Sequence, residues 1–315
     1  MRQSTPSGIR HAYFQGMPWY DNLDKPKDPS VSSAWFAAKR QDRTWYVDLL
    51  ESALEFGDSV GLRDQYRERF AVIAPADLTP VRAQAEGRKV SGPLWEIASE
   101  LIAGRYLNRV CGWKLLDHEP PGNKECLGDW EFEAPNRRTV FVEVKFLQEP
   151  EAVPTNAMAP WPDYRPKIRS ALARAYRQLP DDGRGTLVVI VGEQATEIPA
   201  GIMTGDIFEA LFGKTQVRFT IEDPDSMTIG PAFHDMFVQT AKHRRIGAVA
   251  GLGLRGFVNP DFQAHAVHNP YSYEGVRLST AQFAPLHQFH VDSEGRAIFT
   301  SGENRDQIWD RFAAA

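Results

Sequence analysis

Between residues 128 and 150 the chain reads GDWEFEAPNRRTVFVEVKFLQEP, two runs of alternating apolar and polar positions around a Pro-Asn-Arg break. Alternation with period two predicts β-strands, and the break predicts a hairpin turn at Pro135–Arg137. In that register Trp130, Phe132, Val140, Val142, Val144 and Phe146 share one face. Asp129, Glu131, Glu133, Glu143 and Lys145 share the other. Asp129 then stands opposite Glu143, with Cβ atoms within about 5 Å.

Helical spacing precedes the hairpin. SGPLWEIASELIAGRYLNRV places Leu94, Ile97, Ala98, Leu101 and Ile102 on one stripe, with Glu96 and Glu100 beside it. Ser91 fits an N-cap, Pro93 the first turn, and Gly112 lies just past the end. After a Pro-rich loop (150–166), PKIRSALARAYRQL predicts a helix over 165–179, and TLVVIVG an interior strand. Further strands are expected at 216–221, 246–254 and 262–268, with a helix at 231–242. Upstream, 34–57 and 61–73 carry helical spacing, and 17–33 reads as an extended lead-in. Residues 1–16 look poorly structured, and YFQGM resembles the tail of a cleavable tag. The order of helix, antiparallel strands, helix and strand predicts an α/β fold whose sheet is covered by helices. The expected organisation is a mostly helical region over 17–90 and an α/β domain over 91–315.

Composition narrows the class without naming it. The 315 residues are 42% hydrophobic and 24% charged, the balance of a soluble globular chain. A net charge of −5 confines any nucleic-acid surface to a local patch. Two cysteines, Cys111 and Cys126, supply no disulfide framework and fit a reducing cytoplasm. No apolar run is long enough to span a membrane.

Charges in so apolar a hairpin need a reason. A solvated face with acids and bases paired across strands is the commoner arrangement. Here a Glu-bearing helix comes before the hairpin, the E-V-K triplet sits in an apolar strand, and a basic helix follows. Asp129 and Glu143 repel each other when directly opposed, and a divalent cation between them reverses that sign. Hard oxygen ligands at this separation suit Mg²⁺ or Mn²⁺. The helix over 165–179 carries Arg165, Lys167, Arg169, Arg174 and Arg177 and no acid. Lys167, Arg174 and Gln178 line up beside its apolar stripe. Phosphate contact by Lys167, Arg174 and Arg177 is the expected role, with Lys242–Arg245 (KHRR) as a second contact.

Asp129, thirteen intervening residues, Glu143-Val144-Lys145 and an upstream helical Glu together resemble the PD-(D/E)XK nuclease superfamily. The resemblance spans residues 91–192, with Gly128 where many members have Pro. It implies a restriction-endonuclease-like fold, a mixed central sheet flanked by helices, here with an N-terminal helical extension. It also implies that Asp129, Glu143 and the Val144 carbonyl hold the metal, and that Lys145 acts on the attacking water and the phosphate. Glu100 would be the helix acid, with Glu96 as second choice, and Gln178 would support the site. The expected function is a Mg²⁺-dependent DNA endonuclease, in a restriction or defence setting, with a homodimer compatible. The alternative is a catalytically silent nucleic-acid-binding or assembly subunit of the same fold.

Rival patterns are weaker. GLGLRG (Gly251–Gly256) matches a dinucleotide fingerprint, but Pro260 and the absence of a helical period behind it argue against one. His265 and His268, like His287 and His290, are spaced to point to opposite faces of a strand, which argues against joint zinc ligation. No Walker or zinc-finger pattern occurs.

Overall fold

The computed structural model describes residues 55–62, 65, 66, 69, 92–147, 164–193, 204–213, 215–220, 223–231, 237–239, 241–254, 262–291, 297–300 and 302. Segments 1–16 and 17–33, most of the helices expected at 34–57 and 61–73, and most of the 150–166 loop lie outside the described residues. The chain divides into two compact units, residues 1–98 and 99–315. In the first, residues 55–59 are helical, and Phe56 and Tyr66 are buried.

Helix α1 (Gly92–Arg105) ends in a π-helical turn, Tyr106–Val110. Then follow β1 (Lys114–His118), β2 (Trp130–Glu133), β3 (Thr139–Leu147), α2 (Arg165–Gln178) and β4 (Gly185–Glu193). Next are α3 (Thr204–Phe212), β5 (Thr215–Thr220), β6 (Asp223–Pro231) and β7 (Ala248–Leu254). The last strands are β8 (Phe262–His268), β9 (His287–Val291) and β10 (Ala297–Thr300). Eight of them form one sheet in the order β1-β2-β3-β4-β7-β8-β9-β10, and β5 and β6 pair separately. β3, β4 and β7 run parallel, while β1, β2 and β3 form an antiparallel meander. The architecture is a mixed α/β sheet with helices, as the order of elements predicted.

The hairpin forms in the expected register. Trp130 faces Val142, Phe132 faces Val140 and Glu133 faces Thr139. The even-numbered face packs around Trp130 and Phe132, and Trp130 Nε1 donates to Glu100 O at 2.9 Å, which fixes the end of α1 against this side. The odd-numbered face of β3 carries Phe141, Glu143, Lys145 and Leu147. Phe141 and Leu147 join Ile168, Ala171, Leu172 and Ala175 of α2 in a core shared with Ile207, Leu211 and Phe212 of α3. Both faces of β3 are therefore covered. The solvated-face arrangement does not occur at Glu143, which is 0% exposed.

Two other expectations are corrected. The helix expected at 231–242 is absent among the described residues: β6 continues through Pro231, and Phe237–Gln239 and Ala241–Arg245 are 3₁₀ turns, while 232–236 and 240 lie outside the described residues. Tertiary bonding overrides local propensity here. Arg245 is pulled inward, where its Nη1 donates to Leu179 O (2.9 Å) and its guanidinium lies 4.2 Å from the Tyr176 ring centroid. A buried arginine on the last carbonyls of α2 is a helix C-cap, so Arg245 is withdrawn from the proposed phosphate contact. GLGLRG begins within β7, with Gly251 at its centre. A Cβ on Gly251 would approach Ile207 Cδ1 to 2.5 Å, so the glycine admits α3, not a pyrophosphate.

Candidate metal-dependent active site

The ladder between β2 and β3 stops where the candidate residues begin. Ala134 N–H bonds to Arg138 O (2.9 Å), so even-numbered positions are the hydrogen-bonded ones, and the next would join Val144 to Gly128. Gly128 instead donates to Pro120 O (2.9 Å). Val144 N–H is left to the Asp129 carboxylate, with Oδ2 at 2.5 Å. Asp129 N–H bonds to Val142 O (3.2 Å). Asp129 is thus tied to β3 through both its main chain and its side chain. Gly128 is required for this: a Cβ there would stand 2.1 Å from the Phe141 ring.

Glu143 and Lys145 project from the next two odd positions. Lys145 Nζ donates to Glu143 Oε1 and, at 3.0 Å, to Gln178 Oε1 on the last turn of α2. Gln178 Nε2 donates to Leu127 O at 3.1 Å. The second oxygen of Glu143, Oε2, is buried without a hydrogen-bond partner. A fully buried carboxylate with an orphaned oxygen is costly unless a ligand completes it.

The electrostatics agree with the geometry. Burial is the largest cause holding the Asp129 carboxyl well above the usual range, and Glu143 and then Glu100 push the same way. Lys145 and the Val144 amide oppose it. Burial likewise pushes Glu143 up to about 7; Lys145 opposes the rise, Glu100 adds to it, and Gln178 opposes it. Glu100 is thus within electrostatic reach of both acids. Glu96, one turn earlier, is exposed. Among the described residues no three His, Cys, Asp or Glu side chains gather into a metal-binding group. The candidate donors are two carboxylates and main chain, with Glu100 acting electrostatically on both acids.

Burial gives Glu143 a testable linkage. Its unfolded carboxyl ionises near 4.5 but the folded one near 7, so the ionised form costs folding stability as pH rises through that window. His265 acts in the opposite sense: burial first, and His287 second, depress it from 6.5 to about 4, so its stability is lost as pH falls from 6.5 toward 4. The two offset each other in the wild type. In EDTA, Glu143→Gln should therefore gain on wild type between pH 5 and pH 8, by on the order of 3 kcal/mol. Denaturant midpoints at the two pH values measure it, and a constant difference would mean that Glu143 is not held as a strained acid.

On α2, Lys167, Arg174 and Arg177 are exposed. Arg174 is one turn before Gln178 on the same line, and Lys167 is two turns before Arg174. Arg169 has a different task, since its Nε donates to Ala210 O (2.8 Å) and ties α2 to α3.

The histidines pair across strands, which their spacing within one strand did not reveal. His265 faces His287 in the β8–β9 register, with ring centroids 5.5 Å apart, and His268 lies 6.4 Å from His290. The rings of His265 and His287 stack, so their lone pairs do not converge on one ion. The repeat of HxxH 22 residues apart was the available signal.

No family model matches the chain, and no curated protein matches it. Among solved structures, a match is found to SfsA of Pyrococcus furiosus in complex with Ca²⁺, at 14% identity. It covers 68% of this chain and 64% of that one, with a TM-score of 0.22. The chain thus spans less than two thirds of that protein. At this TM-score the likeness bears on neither the fold nor the site.

Proposed function

We propose that Asp129, Glu143 and Lys145 form the centre of a metal-dependent phosphodiesterase that hydrolyses nucleic acid, with DNA as the substrate. The fold assignment proposed with it is that of the PD-(D/E)XK nucleases. One observation carries the reading: the orphaned oxygen of buried Glu143 lies in a cluster with a second enclosed carboxyl and a lysine. As a purely structural group it would be a standing cost, whereas a cation between the acids turns it into a ligand set.

The donors fit Mg²⁺ or Mn²⁺, hard cations that take one or two carboxylates and keep waters. Asp129 and Glu143 would hold the ion. The Val144 carbonyl is a third candidate, because N–H and C=O of one strand residue point to the same neighbour and its N–H points to Asp129. When bound, such an ion supplies Lewis-acid stabilisation of phosphate charge and a more acidic water. Lys145 places a positive charge where the phosphate gains negative charge, and Gln178 fixes its direction. Glu100 raises the proton affinity of both acids. No helix of the described residues is long and apolar enough to cross a membrane.

Supercoiled plasmid and single-stranded DNA, incubated with Mg²⁺, Mn²⁺ or EDTA, test the function. Cleavage with either metal and none in EDTA supports it. Binding of DNA without cleavage under every condition would favour the silent-subunit alternative.

The basic line of α2 makes a separate prediction. Replacing Lys167 and Arg174 together with Ala should weaken DNA binding and reduce its salt slope by roughly 0.9 per contact, about 1.8 in all. An unchanged slope in a salt titration would return these residues to a solvated helix face.

A further inference from the structure

Leu127 lies two residues before Asp129 and keeps 52% of its surface exposed. A lone exposed leucine is ordinary. The backbone beneath this one is not. The loop joining β1 and β2 closes through Gly122 N–H to Cys126 O (2.7 Å), Gly128 N–H to Pro120 O (2.9 Å) and a bridge between Pro121 and Leu127. Within it Glu119, Lys124 and Glu125 take φ of 55°, 52° and 65°, a region that non-glycine residues keep only where surroundings enforce it.

The surroundings are the end of α2 and the turn after it. Gln178 Nε2 holds the Leu127 carbonyl at 3.1 Å, and Arg184 Nη2 holds the Pro121 carbonyl at 2.7 Å. The packing is close enough that a Cβ at Gly122 would stand 2.2 Å from Gln178 O. The same Gln178 accepts from Lys145. A single amide therefore joins the backbone of an exposed leucine to the lysine of the candidate centre. Two residues of extended chain span roughly 7 Å, about two base steps at 3.4 Å each. Aliphatic side chains presented at that reach are what DNA-binding proteins set beside or between bases.

We propose that Leu127 contacts the substrate, packing its side chain against a nucleobase or sugar within about two nucleotides of the scissile phosphate. The inference rests on the nuclease reading above. It divides recognition between two elements: α2 supplies charge, and the β1–β2 loop supplies an apolar contact fixed relative to Lys145. The division predicts different salt behaviour, because an apolar contact releases no counterions.

Fluorescence anisotropy with labelled duplex and single-stranded oligonucleotides in Ca²⁺ tests it, comparing wild type, Leu127→Ala and the Lys167→Ala/Arg174→Ala pair. Leu127→Ala should weaken binding about tenfold, the effect of losing one half-buried leucine contact, with salt slope and Tm unchanged. A Kd within about twofold of wild type on both oligonucleotides overturns the inference and leaves the nuclease reading intact. Weaker binding accompanied by a Tm lowered several degrees also overturns it, since the leucine would then be packing its own loop. Failure of wild type to bind either oligonucleotide removes the nuclease reading and this inference together.

Discussion

Lys145→Met should lower the single-turnover rate of DNA cleavage by about 10² or more at saturating Mg²⁺, while DNA affinity changes little. Lys145 Nζ reaches both Glu143 and Gln178, so its charge is held in a fixed direction rather than on a free tether. A group placed in this way acts on the transition state more than on the ground state. The competing role is a counter-ion for two buried acids. Losing a counter-ion would leave Asp129 and Glu143 more repulsive, strengthen or preserve metal binding, and let turnover survive. Lys145 also holds Glu143 below the value that burial alone would set, so the variant will need higher pH to load metal. The comparison therefore belongs near pH 8.5 with excess Mg²⁺. Near-normal cleavage there would assign Lys145 to charge balance.

Asp129→Asn should abolish metal-dependent cleavage and, in EDTA at pH 8, make the protein more stable. Both effects follow from one carboxylate. Its Oδ2 accepts the Val144 amide at 2.5 Å, a bond that the asparagine carbonyl keeps. What asparagine removes is a negative charge enclosed by burial and faced by Glu143 and Glu100. A carboxyl whose folded pKa is raised costs stability at every pH above its unfolded value, so replacing it with a neutral amide stabilises at pH 8. The gain should appear as a Tm increase of about 2–4 °C, the response of a domain this size to roughly 1 kcal/mol. Added Mn²⁺ should then raise the Tm of wild type and leave the variant unmoved. If Asp129→Asn melts several degrees below wild type in EDTA, the carboxylate is structural.

The hairpin and the helix after it were legible because their signals are local. Period-two alternation around Pro135–Arg137 set the register, and the register set Asp129 beside Glu143. Gln178 was named through the resemblance rather than through spacing, and the structure brings it to Lys145. The burial of Glu143 was not foreseen, although the sequence held its cause. Phe141 and Leu147 have the same parity as Glu143, and a face with two large apolar residues among charges is a face awaiting a helix. β1 reads KLLDH, with exposed and half-buried positions and no alternation, so nothing announced an edge strand. The cross-strand histidine pairs depend on β8 and β9 lying side by side in parallel, a long-range choice that spacing within one strand does not encode. Arg245 failed for the same reason. A basic tetrad looks like a phosphate contact until the carbonyls at the end of α2 come to meet one of its members.

Anomalous scattering from crystals of the wild-type protein soaked in Mn²⁺ tests the centre most directly. The expected result is a peak about 2.1 Å from an oxygen of Asp129 and from an oxygen of Glu143, absent from Asp129→Asn crystals treated alike. A protein that cleaves DNA while its Mn²⁺ peak lies away from both carboxylates, or while no peak appears between them, would contradict the site.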